Sequence, residues 1–144
     1  MPSPTTSLRA RGPAVALTAL AVGLTLTTAY IHLGLGGLLF TLNAIGYAVL
    51  AVALAIGAIP HPLISRFSWL PRVGLAGFTA VTIGGYLVMG PYFSLGWITK
   101  AIEVGILVLL AADVVRVYGS PAGLVRAALA TFGDGRRTGP MRTA

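Results

Sequence analysis

The stretch Pro13–Ile59, PAVALTALAVGLTLTTAYIHLGLGGLLFTLNAIGYAVLAVALAIGAI, holds no Asp, Glu, Lys or Arg over its whole length. As one helix it would measure about 70 Å at about 1.5 Å per residue, more than twice the roughly 30 Å hydrocarbon core of a bilayer. It therefore has to fold back on itself. Gly34, Gly36 and Gly37 mark the breakpoint, because glycine enters tight turn conformations at little steric cost and no polar loop is on offer. The stretch then divides into two membrane-spanning helices, Ala14–Leu33 and Gly37–Ile59. A phosphate cradle is the other reading of such glycines, but it needs a strand in front of it, and the turn of a helical hairpin does not.

Outward from this hairpin, Pro60-His61-Pro62 ends the second helix, and the segment to Arg72 carries Arg66, Trp69 and Pro71, residues suited to a loop at a membrane surface. A third span follows over 73–89, closed by Gly90-Pro91. Tyr92, Phe93 and Trp97 supply an aromatic belt before a fourth span over 95–117. The expected fold is all-α: a polytopic membrane protein built as a four-transmembrane-helix bundle. Past Tyr118, Ser120-Pro121 has the form of a cap and first-turn proline, so 119–132 reads as a short amphipathic surface helix with Val125, Leu129 and Phe132 on one face. Residues 133–144 read as a disordered basic tail, and 1–12 as a cytoplasmic N-terminal segment.

Composition agrees. The 144 residues are 56% hydrophobic and 9% charged, against the roughly 25% charged content of soluble domains. The absence of cysteine rules out intrinsic disulfides, thiolate metal sites and cysteine nucleophiles. The net charge of +7 does not form a patch interleaved with stacking aromatics, so no nucleic-acid partner is expected. It reads as topology: Arg9, Arg11, Arg66, Arg72, Arg116, Arg126, Arg136, Arg137 and Arg142, nine of the ten basic residues, fall on one side of the four-span layout. The positive-inside rule then places both termini in the cytoplasm of a multi-pass cell-membrane protein. A cleaved leader is the competing reading of the start, but the apolar run continues unbroken past Thr27-Thr28-Ala29.

Without a hydrophobic force between helices in lipid, association relies on small residues. Ala19, Gly23 and Thr27 on the first helix, Asn43, Gly46, Ala53 and Gly57 on the second, and Ala76, Ala80 and Gly84 on the third recur at helical spacing and are expected at helix contacts. Polar residues show the same rhythm: Thr18, Thr25, Thr28 and His32; Thr79, Thr82 and Tyr86; Thr99 and Glu103. Hydrocarbon cannot satisfy them, so they should face inward.

Counted from the outer helix ends, Asn43 and Glu103 lie roughly 9 to 12 Å deep, with His32, Tyr86 and Lys100 shallower in the same half. These five residues, His32, Asn43, Tyr86, Lys100 and Glu103, are the candidate ligand-binding site. An intramembrane carboxylate points to a functional site, yet Lys100 and Glu103 are three apart on one helix and can neutralise each other, with Lys100 snorkelling outward. Asp113 is expected to pair with Arg116, and His61 to be solvated. No metal cluster, catalytic nucleophile with its base, or paired carboxylates appear, so no metal, cofactor or catalytic role is expected. Haem was the one cofactor to weigh, but His32 and His61 lie at opposite ends and cannot clamp one iron.

The chain resembles a group of uncharacterised small four-helix membrane proteins of halophilic archaea and high-GC actinobacteria, in Ile31-His32-Leu33 and in Gly96-Trp97-Ile98-Thr99-Lys100-Ala101-Ile102-Glu103. The resemblance implies a fold and no activity. Small multidrug exporters share the length and helix number but would place their essential glutamate in the first helix, where this chain has none. Two functions stand: an accessory or scaffolding subunit of a membrane complex, or a small oligomeric transporter or channel with a proton, cation or ligand site at Glu103. The expected partners are the lipid bilayer and either further copies of the chain or a larger membrane complex.

Overall fold

The computed structural model describes residues 4–133, with side chains from Gly12 onward. The expected basic tail lies outside these residues apart from Gly133, as do residues 1–3 of the expected N-terminal segment. Six helices follow one another among the described residues: α1 (Pro4–Leu35), α2 (Leu38–Gly57), α3 (Pro62–Phe67), α4 (Trp69–Met89), α5 (Ser94–Tyr118) and α6 (Pro121–Gly133). Three stretches, Gly12–Leu35, Leu38–Gly57 and Pro62–Met89, are long and apolar enough to cross a membrane. The helix α5 has 25 residues but carries Lys100, Glu103, Asp113 and Arg116 along its length.

The α1–α2 turn consists of Gly36 and Gly37, at φ 72° and 83°, a region that side chains with a Cβ rarely enter. The chain reverses in two residues, so α1 and α2 pack along each other. Gly90, in extended conformation, and Pro91 stop α4, and Gly119, left-handed at φ 75°, ends α5. Ser120 caps α6 by accepting a hydrogen bond from the Gly123 N–H at 3.1 Å. Both α1 and α4 pack against α2 and α5, so the four long helices form a closed ring. Its core is Ala21, Leu54, Leu75, Ile106 and Leu110, all buried.

Two sequence expectations change. The stretch 60–72 is not a loop: Pro62 opens α3, and α4 begins at Trp69 rather than Val73. Pro71 lies in the first turn of α4, where its missing N–H is no loss, so it starts a helix instead of stopping one. The small-residue seams are also only partly contacts. Gly46 lies against the Phe78 ring, and a Cβ on Gly57 would come within 3.2 Å of Pro71. Gly23, Thr27, Ala80 and Gly84, by contrast, face outward. A Cβ on Gly23 or Gly84 meets nothing within 4 Å.

The helix α6 docks on α3 and on the start of α4, and its hydrogen bonds to them centre on one residue. The Thr131 hydroxyl, whose one hydrogen has the Ala127 carbonyl at 2.9 Å and the Arg66 carbonyl at 3.2 Å as acceptors, accepts from Trp69 Nε1 at 3.2 Å, and the Thr131 carbonyl takes the Arg66 guanidinium at 2.8 Å. Val125, Leu129 and Phe132 remain exposed, although the Phe132 ring also meets Trp69 edge-on at 6.1 Å between centroids.

Candidate functional site

Thr25, Thr28 and His32 lie three and four apart on α1, which places them on one buried side of that helix. Thr25 turns its hydroxyl back to the Ala21 carbonyl at 2.7 Å, the usual refuge for threonine in a helix. His32 does the same with its ring: Nδ1 lies 2.9 Å from the Thr28 carbonyl. A carbonyl only accepts, so Nδ1 carries the hydrogen and Nε2 is the nitrogen aimed into the bundle. That nitrogen lies 3.8 Å from Oε1 of Glu103.

Glu103 is 0% exposed. Its Oε2 accepts from Lys100 Nζ at 2.5 Å and from the Thr82 hydroxyl at 3.3 Å, while Oε1 has no hydrogen-bond partner among the described residues. The contact to His32 is too long for a hydrogen bond. With Nδ1 occupied, a neutral ring would offer its Nε2 lone pair to a charged carboxylate. Oε1 thus stays an acceptor without a hydrogen bond, beside the histidine ring.

Lys100 is 8% exposed and does not snorkel outward as expected. Its position explains this: Nζ finds Glu103 on its own helix and the Thr82 carbonyl at 3.3 Å on α4, with the Tyr86 ring 5.4 Å away. These partners replace water. The Thr82 hydroxyl has a single hydrogen and places it toward the Thr79 carbonyl or Glu103, so Tyr47 is the donor in the 2.6 Å contact between Tyr47 and Thr82. His32, Tyr47, Thr82, Lys100 and Glu103 thus form one polar layer across α1, α2, α4 and α5. Tyr47 and Thr82 did not stand out as site residues in the sequence; their signal was an inward tyrosine and threonine with no lipid-compatible partner.

Above this layer, between the α1–α2 and α4–α5 turns, opens a cavity of about 310 Å³. Leu35, Leu39, Phe40, Met89 and Phe93 make its walls apolar, while His32, Asn43, Thr82, Thr99 and Lys100 supply its polar groups. Of the sequence-predicted residues, His32, Lys100 and Glu103 meet directly. Tyr86 flanks Lys100 and lines the cavity, in an aromatic cluster with Tyr92 and Trp97. Asn43 lines the cavity without touching the carboxylate and makes no side-chain hydrogen bond among the described residues. Glu103 itself lies beneath the floor, behind Lys100 and His32.

A second polar layer sits at the other end. Asp113 pairs with Arg116, as the sequence suggested, but Arg72 also donates to it, from Nε to Oδ2 at 2.7 Å. Arg72 is 4% exposed, where a surface loop was expected. The two residues are 41 apart in sequence, beyond any helical spacing. The signal that would have found the pair is Pro71 as a first-turn proline, since that moves Arg72 inside α4. His61, exposed at the start of α3, joins neither layer. No group of three metal-ligating side chains occurs among the described residues. No family model matches the chain, and neither does any curated protein or solved structure.

Proposed function

We propose that the chain is a four-span integral protein of the cell membrane, a four-helix bundle with both termini cytoplasmic, and that it serves as an accessory subunit that binds a small apolar molecule in its outer half. The spans are α1, α2, α3 with α4, and α5. The arginines support the orientation: Arg66, Arg116 and Arg126 lie at the end opposite the glycine turn. Cysteines placed singly at positions 92 and 66 test this, because the chain has none of its own. Position 92 should react with an impermeant reagent from outside and position 66 should not; the reverse pattern refutes the orientation.

The observation that carries the binding reading is the 310 Å³ cavity, apolar in its walls, with Lys100, His32 and Asn43 at its polar end. Such a space suits a neutral, mostly apolar molecule with a carbonyl or similar acceptor. Lys100 is already countered by Glu103, so a full negative charge on the ligand is not required. A two-ring quinone, menadione, is a suitable probe because it quenches tryptophan. In a Trp69→Phe background only Trp97 reports, beside Tyr86. Quenching should saturate, and Gly85→Leu should remove the saturable part by filling the cavity. A Cβ at Gly85 meets nothing within 4 Å, so the side chain starts in open space, and the melting temperature in detergent checks that the variant folds. Equal saturable quenching in both proteins would sink the reading.

The unpartnered Oε1 of Glu103 favours a second reading, proton or cation movement through the outer layer. Against an open pore stands the apolar core of Leu54, Leu75, Ile106 and Leu110 between the two polar layers. In proteoliposomes, proton flux present in wild type and absent in Glu103→Gln supports transport. Flux that is absent from wild type, or unchanged in the variant, leaves the binding subunit.

A further inference from the structure

At the opposite end of the helices lies a larger cavity, of about 600 Å³. Val15, Ala19 and Val22 of α1 with Ile59 after α2 make one wall apolar, whereas Arg72 and Arg116 border the other. Charge in this space does not balance. Asp113 accepts from Arg72 on Oδ2 and from Arg116 on Oδ1, so two guanidinium groups share one carboxylate. The chain has only three acidic residues. Of the other two, Glu103 is ten positions away on α5, about 15 Å at helical rise, and Asp134 lies outside the described residues. Among the described residues one positive charge is left over. Arg72, though 4% exposed, has no hydrogen bond from its Nη2 among the described residues, its Nη1 being taken by the Ser68 carbonyl. The guanidinium also lies 5.7 Å from the centre of the Tyr118 ring, and Nη2 is left as a spare donor at the edge of the cavity.

We propose that this inner cavity binds an anionic phospholipid, with Arg72 and Arg116 holding the phosphate oxygens and an acyl chain lying along the apolar wall of α1. The proposal rests on the four-span orientation, which puts the cavity at the cytoplasmic headgroup level, where anionic lipids concentrate. A guanidinium matches phosphate in geometry, and two of them around one carboxylate leave donors for a second anion. The apolar wall selects a lipid over a free phosphate ion, which would gain nothing from Val15, Ala19 or Val22.

The test is native mass spectrometry of the full chain released from a neutral detergent, with dioleoyl phosphatidylglycerol, dioleoyl phosphatidylcholine or inorganic phosphate added. Phosphatidylglycerol should be retained about 10-fold better than phosphatidylcholine, and inorganic phosphate not at all. Arg116→Gln should cut that preference to about 2-fold, because it removes one arm of the clamp. Arg116 is 40% exposed, so the variant keeps its fold, which the melting temperature in detergent checks. Arg126→Gln removes the same charge from the exposed face of α6 and should leave the preference intact. Equal retention of the two lipids, equal effects of Arg116→Gln and Arg126→Gln, or binding of inorganic phosphate alone each overturn the proposal. Extraction of the chain from membranes by alkaline carbonate is measured alongside. A chain that resists extraction yet shows no lipid preference defeats the lipid site alone; one that is extracted defeats the four-span reading beneath it.

Discussion

The two polar layers are variations on one plan. Each has a carboxylate on α5, a basic residue three positions away on the same helix, and a second basic group from another helix: Lys100 and His32 for Glu103, Arg116 and Arg72 for Asp113. They differ in how the plan is completed. Both oxygens of Asp113 accept direct hydrogen bonds, so the inner layer is short of acceptors and long in positive charge. Only one oxygen of Glu103 is so occupied, so the outer layer keeps an acceptor in reserve beside a histidine. The inner layer is a closed clasp with spare donors. The outer one is an open clasp with a spare acceptor.

The sharpest way to break this contrast is Arg72→Gln. It removes two charge-assisted hydrogen bonds, to Oδ2 of Asp113 and to the Ser68 carbonyl, while Arg116 still counters Asp113 on Oδ1, so the loss should be about 3–5 kcal/mol, read as chemical denaturation in detergent. The double variant Arg72→Leu/Asp113→Leu should recover most of it, because a buried pair replaced by apolar side chains costs little. A loss below about 1 kcal/mol for Arg72→Gln would show that water reaches the inner clasp. Next in size comes Glu103→Gln, at about 2–3 kcal/mol, since Lys100 is buried, yet the new amide oxygen and the Thr82 carbonyl still accept from it. A loss near that of Arg72→Gln would mean the outer clasp is as closed as the inner one.

Which parts of this plan the sequence revealed follows from the range over which its signals act. The turn at Gly36 and Gly37 was legible because backbone conformation is a local property, and so was the Ser120 cap of α6. The inward stripe Thr25, Thr28, His32 was legible because helical spacing alone places it on one face. The Lys100–Glu103 and Asp113–Arg116 pairs were legible for the same reason. The Arg72–Asp113 pair was not: it joins two helices, and it depends on reading Pro71 as the opening of a helix. Gly84 and Gly23 were misread because a small residue permits close approach without requiring it, and no neighbour takes the space. Glu103's free oxygen was equally hidden, since spacing predicts that Lys100 pairs with the carboxylate but not which oxygen it uses.

Thr82→Val sharpens the comparison within the outer layer. It deletes a weak donor to Glu103 and the acceptor of the buried Tyr47 hydroxyl, for an expected loss of about 1–2 kcal/mol in the same denaturation measurement. No loss at all would mean that Tyr47 finds another acceptor and that the layer is not one network.

The smallest effect is the most informative. His32→Phe should change stability by within about 1 kcal/mol, because the ring makes no hydrogen bond to Glu103 and sits against Phe40 and Tyr47, where a phenyl group fits. The Thr28 carbonyl that loses Nδ1–H keeps its place in the helix ladder, so no buried acceptor is stranded. A loss above about 3 kcal/mol would instead make His32 the missing half of a closed clasp, and the contrast between the layers would vanish. The same residue offers a direct reading by nitrogen NMR, since the chain has only two histidines and the other, His61, is exposed. His32 should show a protonated Nδ1, held by the Thr28 carbonyl, and an Nε2 whose signal moves when Glu103 becomes Gln. His61 should show neither feature. If Nε2 is the protonated nitrogen while Nδ1 is bare, the hydrogen bond to Thr28 is not made, and the contrast between the layers loses the bare nitrogen it places beside Glu103.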